Sequence, residues 1–247
     1  IPLHHEQACS MAADSYFRTI GKPAIVNVTT GPGAINALNG VYGAYVDSIP
    51  MIIISGQVKT EHLVKNVNPD LRQFGDQEVD IINMVKAITK SRLQFEDTAD
   101  LVTRINELII DGMQGRKGPV WVDVPLDIQA TSINITATEI SEITKGYVSQ
   151  LRNSKKLMPK EEIPKVKELL MLLQKAKRPL IIVGNGVRFS DSTYQLNDFL
   201  SKLDIPVCPV WNSYDIVTNE HMFYAGRPGA DGERAGNFNM QNCDLLI

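Results

Sequence analysis

Three stretches of this chain combine residue types and spacings that could do chemistry. The first is His4-His5-Glu6-Gln7-Ala8-Cys9-Ser10. Glu6 opens a helical period in which Ala8, Met11, Ala12 and Ser15 share one face. A carboxylate in a first helical turn is favoured by the helix dipole, so Glu6 reads either as a helix-end charge or as an acid–base group. The neighbouring His4 and His5 point in different directions and have no third ligand nearby, which argues against a metal. The second stretch, Thr29-Thr30-Gly31-Pro32-Gly33-Ala34-Ile35-Asn36, comes after an apolar run and leads into a helical one. Small residues there let backbone amides approach a ligand closely. It lacks the Gly-Lys-Ser/Thr of a P-loop and the Gly-x-Gly-x-x-Gly of a dinucleotide turn, so a purely structural turn and a ligand contact both remain open. The third, Gly75-Asp76-Gln77-Glu78-Val79-Asp80, sets three carboxylates and a glutamine beside apolar residues. It reads as a solvated loop with a helix cap or as part of a site. Two further glycine-rich stretches, Val183–Val187 and Gly226–Gly236, could face a phosphate or simply turn the chain.

The elements that must position these residues alternate. Ala24–Thr29, Met51–Ser55 and Gly118–Pro125 read as strands rich in β-branched residues. Residues 34–45 and about 97–113 carry helical spacing between them. A second set comes later in the chain: a helix at about Lys160–Lys175, a strand at Arg178–Val183, a helix at about Asp191–Leu203 and a strand at Ile205–Val210. Strands alternating with helices predict an α/β fold of two parallel-sheet, helix-covered, doubly wound domains. The expected boundaries are a first domain over 1–130, an interdomain linker over 131–158 where the pattern fades, and a second domain over 159–247. The chain begins at Ile1 and ends on the apolar Leu245-Leu246-Ile247, so both domains are expected to be incomplete.

Composition narrows the function classes. The 247 residues carry 25 Lys and Arg against 28 Asp and Glu, a net charge of −3, which argues against a nucleic-acid partner. No apolar run is long enough to span a membrane. Cys9, Cys208 and Cys243 are sparse and far apart, neither a disulfide framework nor a zinc set. A reducing, cytoplasmic setting is the expectation.

Order and spacing say more than any single stretch. His5-Glu6-Gln7, the run from Val28 to Val58 through Gly31-Pro32-Gly33 and Ser55-Gly56-Gln57-Val58, then Asp76–Asp80, Ile88-Thr89-Lys90 and Gly118–Pro125 together resemble the acetolactate synthase family of thiamine-diphosphate-dependent enzymes. The likeness is strong over about 4–129 and looser over about 160–247. It implies a pyrimidine-binding domain and then a central domain. It also implies a carboligase that decarboxylates a 2-keto acid such as pyruvate and adds the product to a second carbonyl. A decarboxylase, a keto-sugar-directed carboligase or a non-catalytic FAD or dinucleotide module are the alternatives.

By this resemblance Glu6, as a buried carboxylate, meets N1′ of the cofactor's aminopyrimidine, and Gly31, Pro32, Gly33 and Asn36 lie beside that ring. Gln77, as a catalytic residue, and Lys90 face the substrate. Arg116, Gly226 and Arg227 are the positions that FAD would contact. Mg2+ is expected on a diphosphate-binding domain outside these residues, with no metal ligand within them. A homodimer or homotetramer is expected, the fragment alone being inactive. The chain departs from the family at Gly115-Arg116-Lys117-Gly118, where Arg-Pro-Gly is usual, and at Gly226-Arg227-Pro228-Gly229, where Gly-Met-His-Gly is common. Asp76 also stands where the family has Phe, with Phe74 displaced by two positions. That exchange implies a different acceptor, such as a keto-sugar.

Overall fold

The structure is a computed structural model that describes residues 1–153 and 162–247. It divides into two compact units, Ile1–Lys155 and Lys156–Ile247. In the first, the order is α1 (Glu6–Ile20), β1 (Ile25–Val28), α2 (Pro32–Asn36), α3 (Leu38–Val46), β2 (Ile52–Gln57), α4 (Val64–Val67) and α5 (Ile81–Met84). Then come β3 (Ser91–Gln94), α6 (Leu101–Met113), β4 (Val120–Pro125), α7 (Leu126–Ala130) and α8 (Ala137–Asn153). The second unit holds α9 (Ile163–Lys175), β5 (Pro179–Val183), α10 (Gly186–Phe189), α11 (Thr193–Leu200), β6 (Val207–Pro209), α12 (Arg234–Asn242) and β7 (Leu245–Leu246). Each unit is built on a parallel sheet, ordered β1-β2-β4-β3 in the first and β6-β5-β7 in the second. The α/β parallel-sheet class read from the sequence is therefore what the chain adopts.

In the first unit, Ile25, Ile52, Val120 and Ser91 lie in one register row. Side chains alternate between the two faces of a strand. One face presents Ile52, Ile54, Leu93, Val120, Val122 and Val124 to the apolar stripe of α6, Leu101, Ile105, Leu108 and Ile109. The other presents Val26, Val28, Ile53 and Trp121, all buried. Each fully buried aliphatic or aromatic side chain stabilises by about 1.5–3 kcal/mol relative to exposure, and the central strands β2 and β4 are buried on both faces.

Several expected elements change on folding. The helix at 34–45 is two helices, α2 and α3, that meet at Ala37. Strand β3, Ser-Arg-Leu-Gln, carries no apolar run. The fading stretch after β4 holds α7 and the 17-residue α8, whose Tyr147 hydroxyl reaches Glu107 of α6. The end of the expected linker, the charged Lys155-Lys156 and the start of the second domain at 159, with Lys160, lie outside the described residues. In α1 the buried residues are Ser10, Ala13 and Phe17, while Ala8, Met11, Ala12 and Ser15 are exposed. The face expected to pack is thus the open one, because α3 docks on the side that Ser10 occupies.

That docking depends on Gly40. A Cβ there would collide with Ser10 Oγ and lie 2.7 Å from Met11 N, whereas a Cβ on Gly43 in the same helix meets nothing within 4 Å. Gly40→Ala is expected to destabilise by about 1–2 kcal/mol, the overpacking cost exceeding the gain in helix propensity. Gly43→Ala should stabilise by about 0.5–1 kcal/mol. Calorimetry would read these as melting shifts of opposite sign, roughly 2–4 °C per kcal/mol. Equal shifts would show that α1 and α3 are not in this contact.

Candidate functional site

All four strands of the first sheet run the same way, so the segments that leave the strands collect at one edge. Thr29–Gly33 leave β1, Val58 leaves β2, and Phe95 leaves β3 at that edge. Helix α1 precedes β1 and returns to the sheet through Gly21, so its first turn lies at the same edge. His5 caps the helix, its Nδ1 accepting from Gln7 N at 3.1 Å. Glu6 is the first helical residue, and its carboxylate is half-buried. Asn36 Nδ2 donates to Glu6 Oε2 at 3.2 Å. The Glu6 backbone amide first, and then the Asn36 amide, hold its pKa below the usual glutamate value against a smaller opposing effect of burial. The carboxylate is therefore ionised at neutral pH. It is half-buried, not buried as expected, because only one side of the first turn meets its own domain.

The glycine–proline–glycine turn lies against this carboxylate. Pro32 starts α2, where its missing N–H costs nothing. A Cβ on Gly33 would come within 3.4 Å of Glu6 Oε1 and 2.7 Å of Thr29 Cγ2. Gly31 has φ +59, and a Cβ on it would collide with the backbone oxygen of Gln77. Gln77 itself has φ +57, an uncommon conformation for a residue with a side chain. The loop around it is held by Glu78, whose carboxylate accepts from Val64 N at 2.6 Å, Gly75 N at 3.1 Å and Phe74 N at 3.3 Å. Glu6, Gly31, Pro32, Gly33, Asn36 and Gln77 are thus brought together. Phe74 turns away from them to lie edge-on to the His62 ring, 6.0 Å between centroids.

Lys90 is not part of this group. It precedes β3, so it stands at the other edge of the sheet, and its backbone N–H donates to Pro119 O. Its ammonium caps the end of α6, donating to Asp111 O and, at 2.6 Å, to Gln114 O. The expectation that Lys90 sits with Gln77 is corrected. Gln77 and Lys90 lie in the same β2–β3 connection, but the chain passes Gly31 at Gln77 and has reached the start of β3 beside Pro119 at Lys90. Arg116 precedes β4 at that same far edge, and its Nε donates to Ser48 Oγ at 2.9 Å. Gly226 and Arg227 belong to the second unit. Gly226, at φ +93, packs against the backbone of Gly236, 2.5 Å from a Cβ there. Arg227 Nε donates to Glu233 Oε1 at 2.6 Å, and the guanidinium stacks 4.7 Å over the Tyr214 ring. Tyr224 adds its hydroxyl to the same carboxylate at 3.0 Å.

Sequence reasoning passed over a polar cluster beneath the site. Val28, Ser55, Asp123 and Gln94 are neighbours in one register row, and Ser55 and Asp123 are fully buried. Asp123 accepts from Ser55 Oγ at 2.5 Å, Gln94 Nε2 at 2.8 Å and Gln57 Nε2 at 3.2 Å. Trp121 Nε1 donates to Ser55 Oγ at 2.8 Å. Burial pushes the Asp123 pKa up, and the donors partly counter it. The signal available was polar residues at matching places, Ser-x-Gln in β2 and Asp in β4, within strands otherwise apolar. Among the described residues no group of three or more His, Cys, Asp or Glu could hold a metal, and no helix is long and apolar enough to cross a membrane.

Comparison with known proteins agrees with this arrangement. Residues 1–84 match the family described as thiamine pyrophosphate enzyme, N-terminal TPP binding domain, and residues 166–247 match thiamine pyrophosphate enzyme, central domain. The chain is 32% identical over 246 residues to the acetolactate synthase isozyme 2 large subunit of Escherichia coli (strain K12), covering 98% of this chain and 40% of that protein. It is 31% identical over 247 residues to the acetolactate synthase large subunit of Lactococcus lactis subsp. lactis (strain IL1403), covering 100% and 40%. It is also 31% identical over 245 residues to the probable acetolactate synthase large subunit of Methanococcus aeolicus, covering 98% and 38%. The chain thus spans about 40% of the length of these curated relatives. With both units matched in order, and the Glu6 corner inside the first match, the chain belongs to the acetolactate synthase-like family of thiamine-pyrophosphate-dependent enzymes.

Proposed function

We propose that this chain forms the aminopyrimidine-binding side of a thiamine-diphosphate-dependent carboligase acting on 2-keto acids. One observation carries the reading: an ionised carboxylate, Glu6, is held by Asn36 against a glycine whose missing side chain leaves room beside Oε1. A planar heterocycle that offers a ring N–H and an exocyclic amine fits that acceptor. Glu6 would hold a proton on the ring nitrogen through Oε1. Asn36 fixes Oε2, so the carboxylate keeps one orientation. Gly31 and Gly33 let the ring approach the turn, and the backbone oxygen of Gln77 closes the wall behind Gly31. When bound, the cofactor supplies the electron sink that lets carbon dioxide leave a 2-keto acid. Its Mg2+ and diphosphate would be held by residues other than these 247, and a homodimer or homotetramer would complete the site.

The similarity to acetolactate synthases supports pyruvate as the donor substrate. A polar acceptor, such as a keto-sugar, is the second reading. Asp76 occupies the place beside Gln77 where the family has an aromatic ring, and Phe74 is engaged with His62. The positions read for FAD have partners within the chain. Arg227 is neutralised by Glu233, Gly226 is packed on Gly236, and Arg116 is tied to Ser48. The proposal contains no flavin step.

Two variants of the full-length protein test this reading. Glu6→Gln should lower kcat by about 100-fold or more while leaving a folded protein, as expected for loss of a positioned acid–base group. Turnover equal to wild type would remove Glu6 from the chemistry. Gly33→Ala should weaken thiamine diphosphate binding by about tenfold or more, since the new methyl group enters the space beside Glu6 Oε1. Titration calorimetry with thiamine diphosphate and Mg2+ reads this directly, and an unchanged Kd would place the ring elsewhere.

A further inference from the structure

We infer that Gln57 is a positioning residue that fixes both walls of the Glu6 cleft from below, with the Val79 backbone oxygen and Asp123 setting its orientation. The inference rests on the reading of that cleft as the cofactor side of the site. Gln57 is the last residue of β2 and only 5% exposed. Its amide uses its full hydrogen-bonding capacity. Oε1 accepts from Thr30 Oγ1 at 2.9 Å and from Val58 N at 3.0 Å. Nε2 donates to Val79 O at 2.9 Å and to Asp123 Oδ2 at 3.2 Å.

Thr30 immediately precedes Gly31-Pro32-Gly33, and Val79 lies in the loop that carries Gln77. One side chain therefore joins the two segments that meet where Gly31 abuts the Gln77 backbone oxygen. The backbone oxygen of Val79 can only accept, and Asp123 Oδ2 accepts beside it, so together they select the amide orientation in which nitrogen faces the sheet interior and Val79, and oxygen faces Thr30. Reversing the amide would set oxygen against oxygen at both Asp123 and Val79. Asp123 is itself oriented by Ser55 and Gln94, and Ser55 by the Trp121 indole. The side chains in this chain of contacts lie on the sheet face that carries Trp121, at alternate positions along β2 and β4. The geometry makes the positions of the two walls dependent on each other. A change at Gln57 loosens both, and a change at Thr30 loosens only the turn.

Hydrogen exchange of the full-length protein without cofactor tests this, using amides bonded within the two walls: Ile35 N–H to Gly31 O, and Glu78 N–H to Gly75 O with Ile81 N–H to Val79 O. Gln57→Leu should speed exchange about tenfold in both 28–35 and 75–81, as expected for one lost buried hydrogen bond on each side. Thr30→Val should speed only 28–35, and Thr30→Ser, which keeps the hydroxyl, should restore the wild-type rate. In both Gln57→Leu and Thr30→Val, thiamine diphosphate should bind about tenfold more weakly. Exchange that rises equally in β2 and β4, or in neither wall, would overturn the inference. So would Thr30→Val matching Thr30→Ser, a comparison that does not need Gln57→Leu to fold. If the walls respond as described but wild type binds no thiamine diphosphate, the coupling stands and the cofactor reading fails. If wild type binds the cofactor and the walls do not respond, the coupling alone fails.

Discussion

Because β1, β2, β3 and β4 all point one way, every segment entering a strand lies at one edge of the sheet and every segment leaving a strand lies at the other. This constraint sorts the polar residues more strictly than their types do. Thr30, the Gly31–Gly33 turn, Gln57 and the first turn of α1 share the exit edge, where ligands of open α/β sheets bind. Lys90 and Arg116 are equally polar, yet they precede strands and are used for structure. Lys90 closes the carbonyl end of α6, where a cation is favoured by the helix dipole. Arg116 holds Ser48 in the loop that feeds β2.

The same direction creates a cost. The inner strand β4 has no wet face, so a carboxylate in it must be desolvated, a penalty of several kcal/mol unless donors meet it. Asp123 meets three, all from side chains on neighbouring strands. Breaking one leaves a buried acceptor underused, which is why such a cluster holds a single arrangement. It lies in the last row that all four strands share, so its rigidity is delivered to the loops above it. Glu78 does the equivalent from the outside, gathering two backbone amides of the Gln77 loop and the first amide of α4 on one carboxylate. The left-handed backbone at Gln77, a conformation that costs about 1–3 kcal/mol, is held between these two clamps.

Much of this was legible in the residues. The runs Ile-Val-Asn-Val, Ile-Ile-Ile-Ser and Val-Trp-Val-Asp-Val gave their strands because β-branched residues are dense there. The Gly31-Pro32-Gly33 turn and Glu6 were legible as a pair only through the resemblance of several spaced motifs. Their physical contact spans about 30 residues of chain and leaves no local pattern. β3 was missed because its side chains are all only half-buried, so it needs no apolar run. The α1 face was misassigned because small residues pack closely on either side of a helix, and nothing in the spacing says which side meets α3. Asp123 and Gln57 were hidden by their neighbours. Both sit in motifs that read as strand, and only the register shows that Ser55 and Asp123 are side by side.

The state of Glu6 gives the arrangement its chemical direction. Its own amide and Asn36 hold the carboxylate ionised while one side of it still faces water. Covering that side with an apolar or planar partner removes solvent, and desolvation raises the pKa of a carboxylate. A partner that offers no proton would have to bear this cost. One that offers an N–H, or a ring nitrogen able to share a proton with Oε1, turns it into a charge-assisted hydrogen bond, roughly twice as strong as a neutral one. Asn36 bonds Oε2 and orients the carboxylate, so that Oε1 is the oxygen that faces Gly33. Interaction with the helix dipole alone requires neither an amide held 3.2 Å away by a second helix nor a glycine facing the other oxygen.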